Sequence, residues 1–117
     1  MSKNDDAYLH HILDSISKIK DFTENIDKNK FKNNELVQSA VIRQIEIIGE
    51  ATKKVSDKTK ANYPDVPWRD IAGMQDRLIH GYFGVDIDAV WDTIQRDIPK
   101  LRKDIEKILD KKNRQYD

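Results

Sequence analysis

The stretch Met74-Gln75-Asp76-Arg77-Leu78-Ile79-His80-Gly81-Tyr82-Phe83-Gly84-Val85-Asp86 gathers the side chains of this chain best suited to chemistry. His80 comes first, because an imidazole with an unperturbed pKa of about 6.5 can take or give a proton near neutral pH. Tyr82 adds an aromatic hydroxyl two positions on, and Asp76 and Arg77 add charge of both signs. Gln75, five positions before the histidine, adds a neutral amide that donates a hydrogen bond but brings no charge. On an ideal helix Arg77 lies nearly on the face of His80, whereas position 75 is about 140° around. Arg77 read alone is a surface cation pairing with Asp76 or with an acid of a partner.

Other candidates are weaker. His10 and His11 are adjacent, so on a helix they point to different sides and form no joint metal face. Glu46 and Glu50 are four apart and can present two carboxylates on one face, as in di-metal bundles, but no Glu-x-x-His accompanies them. Arg43, three residues before Glu46, is placed to pair with that acidic face. No phosphate-binding glycine loop, zinc motif or nucleophile elbow occurs, so no metal site and no cofactor are expected.

The chain of 117 residues is expected to be a single domain spanning 1–117. Its 21 basic and 21 acidic residues cancel, so a polyanion can be met only by a local patch. With no cysteine, disulfide and thiolate chemistry are excluded. No apolar run approaches the roughly 20 residues needed to span a bilayer, and the first residues lack the apolar region of a signal peptide. A cytoplasmic protein without membrane contact is the expectation.

The elements that must position His80 read as helices. Tyr8, Ile12, Ile16, Ile19, Phe22 and Ile26 recur every three or four residues and predict a first helix from about Asp5 to Asn25. Residues 28–34 read as a polar connection, after which Asn34 caps a helix striped by Leu36, Val37, Ala40, Val41, Ile45, Ile48, Ala51 and Val55. Residues 56–67 break the pattern, with Pro64 and Pro67 marking turns. Trp68, Ile71, Ala72, Met74, Leu78 and Ile79 predict a shorter third helix that ends at Gly81 and Gly84, with His80 at its terminus. Asp86 or Asp88 caps a fourth helix along Val90, Trp91, Ile94, Ile98, Leu101, Ile105 and Ile108, kinked by Pro99. The polar tail 111–117 is expected to fray. The sum is an all-α antiparallel four-helix, up-and-down bundle with room for a short extra helix. Trp68 and Trp91 fall on apolar stripes as core or interface aromatics.

The stretch 74–86 resembles the signature of the HEPN family, in its HepT-like branch, formerly a domain of unknown function. That signature reads arginine, a polar residue, three further residues, histidine, any residue, tyrosine. Asp76, His80 and Tyr82 match it, and Gln75 stands where the family has arginine. Ile47-Ile48-Gly49-Glu50-Ala51 and Pro64-Asp65-Val66-Pro67-Trp68-Arg69-Asp70-Ile71-Ala72-Gly73-Met74 resemble the family as well. The resemblance implies a helical bundle that dimerises through its motif faces, and a toxin that cuts RNA without metal. In that chemistry the ribose 2′-hydroxyl attacks its own phosphodiester, His80 moves a proton, and the arginine stabilises the transition-state charge. With Gln75 in the arginine's place, the loss of one preorganised donor costs roughly 3–4 kcal/mol in other enzymes, so an impaired ribonuclease is expected. Asp76 and Arg77 would support the motif. The resemblance also implies an antitoxin, a minimal nucleotidyltransferase (MNT), which uses ATP and magnesium to transfer AMP to Tyr82. Beside this stands a second expectation, a non-catalytic adaptor or substrate-binding subunit of a nucleotidyltransferase, and a third, a plain structural dimer.

Overall fold

A computed structural model describes the backbone of residues 3–80 and 84–116 and the side chains of residues 4–80 and 84–111. The fold is all-α, with no strand among the described residues and one isolated antiparallel bridge, Ile79 to Val85. The longest apolar stripes make the frame. α1 (Lys3–Thr23) buries Leu9, Ile12, Ile16 and Ile19, and α3 (Glu35–Lys54) buries Val41, Ile45, Ile48 and Ala51. These two helices form the most extensive pair, because each presents one continuous apolar stripe at helical spacing. Asn34 caps α3 as expected, its side chain accepting from the Val37 amide at 3.1 Å. The buried hydroxyls of Thr23 and Thr52 donate back to carbonyls four residues earlier, Ile19 and Ile48, so neither is left unsatisfied in the core.

The two segments read as irregular are partly helical. α2 (Lys28–Lys32) is five residues long, capped by Asp27, whose carboxylate accepts from the Lys30 amide at 2.8 Å. Its one apolar residue, Phe31, is fully buried, and its ring lies 5.3 Å from that of Trp91. The Gln38 amide closes the other end by donating to the Phe31 and Lys32 carbonyls. α4 (Asp57–Asn62) starts at Ser56 and hangs from the buried Asp5 carboxylate, which accepts from the Ser56 amide and from the Ser56 and Thr59 hydroxyls. So short a helix has no period to read, and each is held by a cap at its start and by tertiary contacts.

The expected third helix is two. α5 (Trp68–Ala72) and α6 (Met74–Leu78) are separated by Gly73, whose φ of −96° and ψ of 6° lie off helical values. Both pack on α3, where Gly49 permits a close approach: a Cβ there would stand 3.3 Å from the Ala72 carbonyl oxygen. Trp68 is buried within its own chain, its indole N–H donating to the Tyr63 carbonyl at 3.0 Å. It is core, and adds nothing to an intermolecular face.

Asp86 caps α7 (Ile87–Asp92), accepting from the Ala89 amide at 3.0 Å. A π-helical segment, Thr93–Asp97, then leads into α8 (Ile98–Tyr116). Pro99 accounts for it. A proline inside an α-helix lacks an N–H and clashes with the carbonyl four residues before it, here that of Gln95. Widening the preceding turn relieves that clash, and the Ile98 amide bonds five residues back, to Thr93. The expected kink is thus a π-turn. α8 packs on α1 and buries Leu101, Ile105 and Ile108, and its backbone stays helical to Tyr116, past the last buried apolar position at Leu109. No described helix is long and apolar enough to cross a membrane.

Candidate functional site

His80 is not at the end of a helix. α6 stops at Leu78, and Ile79 is extended (φ −112°, ψ 112°). Residues 78–80 and 84–86 are joined by the His80 amide donating to the Gly84 carbonyl at 2.8 Å and the Asp86 amide donating to the Leu78 carbonyl at 2.9 Å. The Ile79–Val85 bridge lies between them. Gly84, at φ +93°, adopts the left-handed conformation that side chains rarely take, which is why a glycine ends this hairpin. The His80 side chain is exposed. The flanking residues 79–80 and 84–86 are thus bonded to each other and to the end of α6 and the start of α7, while the imidazole faces outward.

This geometry overturns the helical-wheel relation of residues 75, 77 and 80, because His80 leaves the helix before the wheel reaches it. Gln75 is half-buried, and its carbonyl accepts from the Ile79 amide at 2.8 Å, closing the last turn of α6. Asp76 is exposed. Arg77 does not pair with Asp76. Its guanidinium reaches the Asp70 carbonyl at 3.4 Å and lines a cavity of about 300 Å³ between α5, α6 and α8, together with Asp97, Lys100 and Asp104. The structure thus turns Arg77 toward α8. Tyr82, with Gly81 and Phe83, lies outside the described residues.

Of the side candidates, Arg43 pairs with Glu46 at 3.4 Å, while Glu50, His10 and His11 are exposed. Among the described residues no three of His, Asp and Glu converge as metal ligands. Three features escaped the sequence reading. The α7 start carries Asp88, whose Oδ1 lies 3.4 Å from Nζ of both Lys28 and Lys32 of α2. The hydrogen bond from Lys32 and the charge of Lys28 hold the Asp88 carboxyl below its usual range. The Arg77 cavity recruits Asp97 from the π-helical segment and Asp104 from α8, and one oxygen of Asp104 is buried with no hydrogen-bond partner. A larger cleft of about 570 Å³ runs between α1 and α8, lined by Ile16, Ile19, Ile94, Ile98 and Trp91. Only the i,i+4 spacing of Lys28 and Lys32 was visible beforehand, and their acid is too distant in sequence to be found from it.

Residues 12–108 match the family described as "Ribonuclease HepT-like". A protein of Methanocaldococcus jannaschii, carrying the provisional name RNase MJ1380, is 42% identical over 107 residues, covering 91% of this chain and 98% of that one. A Thermococcus cleftensis protein, provisionally named ribonuclease HepT, is 43% identical over 108 residues, covering 92% of this chain and 98% of its own. A second M. jannaschii protein, named as a gamma-glutamylcyclotransferase and, provisionally, an RNase, is 42% identical over 120 residues; the match covers 99% of this chain but 54% of that one. No solved structure matches.

Proposed function

The chain belongs to the HepT-like ribonuclease family, and from that premise we propose that it is the toxin subunit of a type VII HEPN/MNT toxin–antitoxin pair. Its activity is metal-independent endoribonucleolytic cleavage of RNA, weakened in this chain by Gln75. The observation that carries the reading is the mounting of His80. Its imidazole is exposed, and its backbone is tied to Gly84 beside the junction of α6 and α7, which leaves the side chain open to a strand of RNA. The 2′-hydroxyl is tethered beside its phosphorus, so the protein has only to orient the strand, move a proton and stabilise charge. His80 moves the proton. In this reading the family's arginine at position 75 would bring its fork to the phosphate. Glutamine offers there a hydrogen bond without the charge.

In this reading each chain is a four-helix, up-and-down bundle with short extra helices, and two copies face each other across the motif as a cytoplasmic homodimer. The partner antitoxin is an MNT nucleotidyltransferase that spends ATP with magnesium to place AMP on Tyr82. A phosphate two residues from His80 puts negative charge and bulk where the RNA phosphate has to lie. This chain needs no cofactor of its own. Gln75 favours a second reading, an adaptor or substrate-binding subunit of the nucleotidyltransferase, because it removes the charge that catalysis calls for.

One experiment separates the two. Purified chain and its Gln75→Arg form are incubated with RNA in EDTA, with His80→Ala in the arginine background as control. The toxin reading expects cleavage to rise by roughly 100-fold or more on restoring the arginine, the scale of one lost transition-state donor, and to vanish with His80→Ala. Equal cleavage by the glutamine and arginine forms removes the role given to position 75. No cleavage by either leaves the adaptor.

A further inference from the structure

Equal numbers of basic and acidic residues deny this chain an overall field for RNA, so attraction to a polyanion has to be assembled locally. The fold assembles it at α2. Lys28, Lys30 and Lys32 alternate along this short helix, with no acid between them. Lys28 and Lys32 are one turn apart and share a face, and both ammonium groups converge on a single anionic oxygen, Asp88 Oδ1, each at 3.4 Å. A phosphate oxygen makes the same demand on a pair of lysines that this carboxylate oxygen does.

Two further observations tie the pair to the candidate site. Asp88 belongs to the first turn of α7, which packs on both α2 and α6 and begins at Asp86, whose amide closes the His80 hairpin on the Leu78 carbonyl. The lysines therefore flank the helix start into which the hairpin runs. The side chains are also open to exchange, with Lys28 50% exposed, Lys32 47% and Asp88 57%. Surface pairs this exposed contribute little to fold stability. The other acid at α2, Asp27, has its carboxylate bonded to the Lys30 amide as the helix cap.

We propose that Lys28, Lys30 and Lys32 form a contact surface for the phosphate backbone of RNA, with Asp88 occupying a phosphate position until RNA displaces it. The proposal rests on the ribonuclease reading and deepens it. Contacts of this kind fix the register of a strand without reading its sequence, which is what a strand needs to lie across an outward-facing His80. The strand outcompetes Asp88 because it offers several phosphates to three lysines and releases counterions as it binds.

The test is fluorescence anisotropy of an unstructured, end-labelled single-stranded RNA with the full chain over a series of salt concentrations. Changing Lys28, Lys30 and Lys32 to Gln together should weaken binding roughly tenfold or more and lower the slope of log K against log salt by about 2, at about 0.7 per phosphate contact. Asp88→Asn should tighten binding, because it frees two lysines. A purely structural role for the pairs predicts the reverse, with Asp88→Asn weakening binding alongside the lysine variant. Unchanged binding in both variants, weaker binding in Asp88→Asn, or no RNA binding by the unaltered chain overturns the proposal. Cleavage of the same RNA by the Gln75→Arg form reports on the ribonuclease reading separately. Cleavage with an unmoved salt slope sinks the patch alone, and a shifted slope without cleavage sinks the ribonuclease reading alone.

Discussion

Asp5 holds the connection that carries the chain from α3 toward α5, and with it the support of the candidate site. Its carboxylate accepts from the Ser56 amide at 2.9 Å, the Ser56 hydroxyl at 2.6 Å and the Thr59 hydroxyl at 2.7 Å, while the residue is 2% exposed. A hydrogen bond to a charged group is worth about 1.5–3 kcal/mol net. Asp5→Ala loses all three, but the two hydroxyls can turn to each other or to water, so about 3 kcal/mol is the expected loss. An unfolding entropy of about 2.1 cal/mol/K per residue over 117 residues gives roughly 0.25 kcal/mol per degree, so Tm should fall by about 12 °C. The loss should depend on pH. Burial by itself raises the Asp5 pKa, but the hydrogen bonds from Ser56 and Thr59 outweigh it and hold the folded value below 3.8. A depressed carboxylate contributes its stability above the unfolded pKa and loses it as pH falls through the folded one. Urea unfolding at pH 7 and at steps below pH 4 checks both statements. An Asp5→Ala midpoint equal to that of the unaltered chain at pH 7, or a gap between the two that persists undiminished in acid, refutes the reasoning.

Three further outcomes are expected. Gly49→Val should destabilise the fold by about 1–3 kcal/mol, because the new side chain meets the Ala72 carbonyl where α5 approaches α3, and it should lower cleavage by the Gln75→Arg form by shifting α6; a gain in denaturant midpoint contradicts the close approach. Sedimentation at micromolar concentration should show a dimer, and a lone species near 13.7 kDa counts against the proposed assembly. Treated with the proposed nucleotidyltransferase antitoxin, ATP and magnesium, the chain should gain AMP on Tyr82 and not on Tyr8, Tyr63 or Tyr116. Mass spectrometry locates the adduct, and modification that persists in Tyr82→Phe rejects the assignment.

Much of the frame was legible in the residue order. The stripes of α1, α3 and α8 follow from a period of 3.6 applied to isoleucine, leucine and valine, and the caps at Asn34 and Asp86 follow from a short polar side chain just before such a stripe. Pro99 announced a disturbance, though not its form. α2 and α4 were not legible, because five or six residues carry no period and are held by groups far along the chain: Phe31 on Trp91, and Ser56 and Thr59 on Asp5.

The candidate site divides along the same line. Residue types alone marked His80, and the family pattern marked Gln75 and Tyr82, since side-chain chemistry is a property of each residue and survives any folding. Direction does not. A helix continued through residue 80 sets Arg77 beside His80, whereas Gly73 splits the helix, Ile79 leaves it and Gly84 turns the chain, so that His80 faces outward and Arg77 faces α8. Nor did the sequence disclose that Lys28 and Lys32 meet Asp88, because a contact between residues so far apart exists only once α7 has packed on α2. Local periodicity and side-chain chemistry are set by neighbours in the chain. The facing of a histidine and the company of a lysine are set by long-range packing, which makes them properties of the folded molecule.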